Sequence, residues 1–80
     1  MSNILHKEVI LLEMIPVQSS NLRSVGYDST TQTLVIEFHS GVYEYYGVPE
    51  STYRGLMSAS SKGQYHHRFI KHSYKYNKIR

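Results

Sequence analysis

The strongest constraint on the fold is the stretch Thr33-Leu-Val-Ile-Glu-Phe-His39, followed by Ser40-Gly41 and then Val42-Tyr-Glu-Tyr-Tyr46. Leu34, Ile36 and Phe38 point one way while Thr33, Glu37 and His39 point the other, the two-residue period of a strand. Glycine accepts positive φ at no steric cost, so Ser40-Gly41 predicts a tight turn and Val42–Tyr46 an antiparallel return. Upstream, Leu22-Arg-Ser-Val-Gly-Tyr-Asp28 places Val25 and Tyr27 on one face, and the turn-forming cluster Asp28–Gln32 leads into the next strand. These segments predict a three-stranded antiparallel meander.

The pattern then becomes helical. Gly47-Val-Pro49 ends the sheet, and Pro49 suits a first helical position because its missing N–H would be unpaired there anyway. Tyr53, Leu56, Met57 and Ser60 recur at helical spacing, predicting a helix over 49–59. Ser61-Lys-Gly-Gln64 is a capping-box pattern that starts a second helix, with Tyr65 and Phe69 on its buried side. Past His72, Tyr74-Lys-Tyr76 either extends that helix or forms a terminal strand. Near the N-terminus, Leu5, Val9 and Leu12 follow helical spacing, while the run of branched residues equally suits a strand. Pro16 disfavours helical geometry at Ile15, so residues 1–15 are read as an arm or helix and 16–80 as the domain. The expected class is α+β: a three-stranded meander packed with two short helices, with an extra N-terminal helix or strand and a C-terminal strand as further elements.

Several chemistries find no residues to carry them. With no cysteine in 80 residues there is no disulfide scaffold, thiolate metal site or cysteine nucleophile. The apolar run Val9–Leu12 lies between Glu8 and Glu13, too short and too charged for a membrane span, and no signal-peptide cleavage site follows it. A cytoplasmic protein with no membrane partner is expected. His66 and His67 point to different helical faces, His72 lies beyond one turn of them, and no carboxylate follows Glu50, so a metal site is rejected. No serine sits in a strand-turn-helix elbow, and the five glycines are scattered singly rather than forming a phosphate loop. Glu37 and Glu44 face each other across the hairpin, an exposed cross-strand placement that needs no catalysis. The chain is therefore read as non-enzymatic, with no cofactor.

Charge and tyrosine give the positive signal. Residues 1–61 hold three cations against six carboxylates, net −3, whereas 62–80 hold six cations and no carboxylate. Such a block attracts polyanions. Eight tyrosines accompany it, without tryptophan. Buried, such rings supply apolar area with a hydroxyl that needs a partner; exposed beside cations, they are stacking platforms for bases. Tyr27, Tyr53 and Tyr65 are assigned to the core. Tyr43 and Tyr45 share a face opposite Val42, Glu44 and Tyr46, so only one of these groups is expected in the core. A continued last helix would align Arg68, Lys71, Lys75 and Lys78 in one basic stripe, whereas an extended end would turn Lys75 and Asn77 away from Tyr74 and Tyr76. The candidate nucleic-acid-binding set is Lys62, His66, Arg68, Lys71, Tyr74, Lys75, Tyr76 and Lys78. RNA is the favoured partner, and the alternative is a protein-interaction or homodimerising module.

The order of motifs also resembles a known family. Val17-Gln-Ser19-Ser20, Val25-Gly26-Tyr27-Asp28, Leu34 through Phe38, Gly41-Val-Tyr43-Glu-Tyr45, Val48-Pro49, Tyr53, Ala59-Ser60, Gly63-Gln-Tyr65 and Ile70 followed by Tyr74 are similar to the KTSC domain. That domain is a short module at the C-terminus of some lysyl-tRNA synthetases and occurs as stand-alone small bacterial and phage proteins. The resemblance spans about residues 16–78, reinforces the fold, implies a link to nucleic acid through the tRNA enzyme, and brings no catalytic residues. His66-His67 depart from the family pattern of an aromatic or apolar residue followed by asparagine.

Overall fold

The structure is a computed structural model that describes residues 12–80. Most of the expected N-terminal arm or helix, residues 1–11, lies outside the described residues. Residues 12–14 carry no helix. From there one antiparallel sheet runs in sequence order: β1 (Ile15–Pro16), β2 (Leu22–Asp28), β3 (Thr33–Phe38), β4 (Gly41–Tyr45) and β5 (Tyr76–Lys78). Between β4 and β5 come α1 (Glu50–Ser58) and α2 (Lys62–Tyr65), which runs on into a π-helical turn, His66–Ile70. The expected meander is thus the centre of a five-stranded sheet.

The central register follows from alternation. Val25 pairs with Ile36 and Ile36 with Tyr43, and Tyr27 pairs with Leu34 and Leu34 with Tyr45, placing these six side chains on the face that meets the helices. Leu22 joins them despite its odd spacing, because the register shifts between Leu22 and Ser24 and inserts Arg23 as a bulge. The core closes with Val48, Leu56 and Ile70, all fully buried. Tyr27 stacks on Tyr53 with ring centres 4.6 Å apart and donates its hydroxyl to the Val48 carbonyl. Tyr27, Tyr53 and Tyr65 pack against this core, each half-buried.

Five expectations are corrected. The tight turn is His39-Ser40, because Gly41 is already paired with Phe38 as the first residue of β4. Gly41 is needed for a different reason: its φ is +153°, and a Cβ there would stand 2.6 Å from the Arg80 carbonyl oxygen, which accepts from the Val42 amide. Pro49 caps α1 rather than opening it, its carbonyl accepting from the Thr52 and Tyr53 amides. Both tyrosine-bearing faces of β4 hold buried residues, since Val42 and Glu44 are buried as well as Tyr45. The far side of the sheet is covered too; at Gly26, residues 12–14 cross so closely that a Cβ would lie 2.6 Å from Met14 Sδ. Glu37 and Glu44 are not opposite one another: Glu37 pairs with Val42 and accepts from the Ser24 hydroxyl, while Glu44 pairs with Val35 and accepts from Tyr46.

The fifth correction concerns α2. Ser61 Oγ caps it by accepting from the Gln64 amide, one half of the expected box. The turn that follows bonds the Lys71 amide to the His66 carbonyl, five residues back. One residue more per turn rotates Phe69 outward, 49% exposed though still against Tyr65, and brings Ile70 into the core. Tyr65 itself lies against α1 at Gly55, where a built Cβ would overlap the phenol oxygen and approach the ring Cζ at 2.7 Å. Alanine normally stabilises a helix interior by about 1 kcal/mol over glycine. Here overpacking, typically about 1–3 kcal/mol, outweighs that gain. Gly55→Ala is therefore expected to lower stability in chemical denaturation, and a more stable variant would contradict this packing.

Candidate nucleic-acid interface

The C-terminal chain leaves the π-turn, reverses, and returns along β4. Tyr76 pairs with Tyr45 and Lys78 with Tyr43, so both point to the helix side of the sheet. The Val42 carbonyl accepts from the amides of Ile79 and Arg80, and the Lys75 carbonyl from that of Tyr46, fixing the new edge. A groove of about 300 Å³ forms where β4 and β5 meet the π-turn. Phe38, Tyr43, Tyr45, Tyr76 and His66 furnish its rings, with Ser40, Lys71 and His72 at the rim. Tyr76 is 56% exposed, its ring 5.9 Å from that of Tyr43 and 5.7 Å from that of Tyr45.

His66 anchors the groove floor. Its Nε2 lies 2.8 Å from the Tyr45 hydroxyl, and its ring packs edgewise on Phe38 at 4.9 Å. Burial, reinforced by the Lys71 ammonium, pushes its pKa down to about 4, and burial pushes the Tyr45 phenol up to about 12. Both are neutral at pH 7, so His66 is a packing and hydrogen-bonding group there rather than a cation. Between its folded value near 4 and the ordinary 6.5, the unfolded chain binds more protons. The stability contributed by the neutral ring is thus complete above pH 6.5 and is lost as pH falls toward 4. Thermal unfolding of His66→Gln is expected to show a shallower decline over that window than the native chain; parallel curves would contradict the burial of this ring.

The structure separates the other expected residues. Lys71 is exposed at the groove rim. Lys78 lays its stem over Gly41, beside Tyr43. Tyr74 is half-buried against the core, its hydroxyl 3.4 Å from that of Thr52, and so is turned inward. Lys75 is exposed but does not line the groove. Lys62 and Arg68 belong to a second recess, Lys62 donating to the Ala59 carbonyl at 3.1 Å. No single basic stripe exists, because the helix ends before Lys75. Phe38, Ser40, Tyr43 and Tyr45 were absent from the expected set, although Tyr43 and Tyr45 already shared a face by alternation.

Residues 18–74 match the model of the KTSC domain. Over 74 residues the chain is 45% identical to the lysine–tRNA ligase of Trichormus variabilis, a match covering 91% of this chain and 13% of the ligase. The chain thus spans about an eighth of the length of that relative. An uncharacterised protein of Stutzerimonas stutzeri is 39% identical over 70 residues, covering 85% of this chain and 99% of that protein. The crystal structure of a KTSC domain protein from Yersinia pestis superposes with a TM-score of 0.84 at 40% identity, covering 86% of this chain and 99% of that one.

Proposed function

We propose that this chain, which belongs to the KTSC domain family, is a non-catalytic nucleic-acid-binding domain that takes RNA at the groove between β4, β5 and the π-turn. The observation that carries the reading is Tyr76: a half-exposed ring beside Tyr43 and Tyr45, with Lys71 at the groove rim and Lys78 two residues further along β5. Aromatic faces accept any base, and ammonium groups accept the phosphates between them. The lysine–tRNA ligase relative, a protein named for a tRNA, agrees with this direction. A non-catalytic role is supported by the imidazole on the groove floor, His66, whose Nε2 is held by Tyr45 and whose basicity is suppressed by burial.

Titration against single-stranded RNA and DNA oligonucleotides at two salt concentrations tests the proposal. If Lys62, Arg68, Lys71 and Lys78 each neutralise a phosphate, log affinity falls against log salt with a slope of about −2.8. No binding at low salt would sink the reading. The rival, a protein-interaction module, is favoured by Phe69, exposed at 49% next to Tyr65. It expects Phe69→Ala, rather than Tyr76→Ala, to abolish association.

A further inference from the structure

The aromatic groove is one end of a longer furrow. A polar recess of about 750 Å³ lies between the β1–β2 loop and the start of α2, where Ser19, Ser20, Ser60 and Ser61 surround Lys62 and Arg68. A third recess, about 340 Å³, sits between the two. It shares Asn21, Gly63 and His67 with the polar recess, and Phe38, Ser40, His66 and Lys71 with the aromatic groove. The three are therefore contiguous around the π-turn. Their chemistry changes along the way, from hydroxyls and cations at one end to stacked rings at the other.

Charge sharpens the contrast. Among the described residues, none of the three recesses has a carboxylate in its lining. Ser19 and Ser61 already accept backbone amides, but the Ser20 and Ser60 hydroxyls and the Arg68 guanidinium make no side-chain hydrogen bond among the described residues. A concave surface with unused donors and no anion suits successive phosphates. The aromatic end suits bases that are unstacked and turned inward, which a duplex does not present.

Resting on the RNA reading above, we infer that the furrow is a track for a single strand: bases stack at Tyr43 and Tyr76, and the phosphate backbone continues past Ser40 and His67 to Lys62 and Arg68. Affinity should then grow with strand length beyond what the aromatic groove alone can hold, and the polar recess should supply that growth.

The test compares a uridine dinucleotide, a uridine octanucleotide and a duplex RNA of octanucleotide length, each titrated into the native chain, Arg68→Gln and Lys62→Gln/Arg68→Gln. The native chain should bind the octanucleotide more tightly than the dinucleotide or the duplex. The double variant should bring the octanucleotide close to the dinucleotide, reduce the salt slope from about −2.8 to about −1.4, and leave the dinucleotide unchanged. Because Lys62 is tethered to the Ala59 carbonyl, Arg68→Gln guards against a folding artefact and should shift the slope by about 0.7. Dinucleotide binding with no gain for the octanucleotide would overturn the track and leave the aromatic site standing, whereas equal loss of both ligands in the double variant, or duplex binding as tight as single-strand binding, would overturn the track and the stacking site with it. A native chain that binds no oligonucleotide overturns both.

Discussion

Truncating Ile70 to alanine is expected to cost about 2–5 kcal/mol, the usual loss for a large apolar side chain removed from a closed core. Ile70 is 0% exposed and packs with Leu22, Val25, Leu34, Ile36 and Leu56. A domain of this length starts from modest stability, because a short chain buries a smaller share of its surface. The variant should accordingly unfold at much lower denaturant, or be largely unfolded. Phe69→Ala is the informative control. Were the helix to continue from Tyr65 with ordinary α-helical spacing, residue 69 would be the core position. The π-turn moves that place to residue 70. A loss at Phe69 equal to or larger than that at Ile70 would contradict the turn.

Removing the Tyr76 ring should weaken RNA binding by about 1–3 kcal/mol for a stacked base, roughly five- to 150-fold. Tyr76→Ala should leave the fold standing, because the ring is more than half exposed and β5 is held by the Val42 and Tyr46 backbone contacts around it. Tyr76→Phe keeps the aromatic face and should retain most of the affinity. The contrast separates stacking from a hydrogen bond through the hydroxyl, since a contact made by the oxygen alone would be lost in both variants. Tyr74→Ala should behave differently, reducing stability because this ring packs on the core. An affinity loss at Tyr74 larger than at Tyr76, at unchanged stability, would move the site.

The parts of this fold that were legible in the sequence are those with a period. Leu34, Ile36 and Phe38 announced β3, and the return through Tyr43 and Tyr45 followed from the hairpin. What escaped has no local signature. A C-terminal strand was one of two readings of the end of the chain; its partner was not legible, because β5 is three residues without apolar alternation and its pairing to β4 bridges about thirty residues of chain. The bulge at Arg23 and the π-turn each add one residue to a regular element, which moves faces without altering composition. Gly41 was correctly singled out, but its need comes from Arg80, at the other end of the chain.

The site divides in the same way. The carboxylate-free block from Lys62 onward is a fact of linear sequence, whereas the position of each cation depends on the π-turn and on where the chain reverses after it. The start of α2 and the π-turn place Lys62 and Arg68 in one recess, while the chain beyond sets Lys71 at another and turns Tyr74 inward. His66, an expected contact, lines the groove as a half-buried, neutral partner of Tyr45. The aromatic walls from β3 and β4 lie outside the basic block and join it through the β4–β5 pairing and the packing of His66 on Phe38 and Tyr45, neither of which is local in sequence.

The most direct test of the central claim is to follow backbone amide NMR shifts as single-stranded RNA is added. The groove reading predicts a contiguous set of changes at Ser40, Tyr43, Tyr45, His66, Lys71 and Tyr76. Changes confined to the outer face of α1 around Glu50 and Arg54, or no changes at low salt, would contradict it.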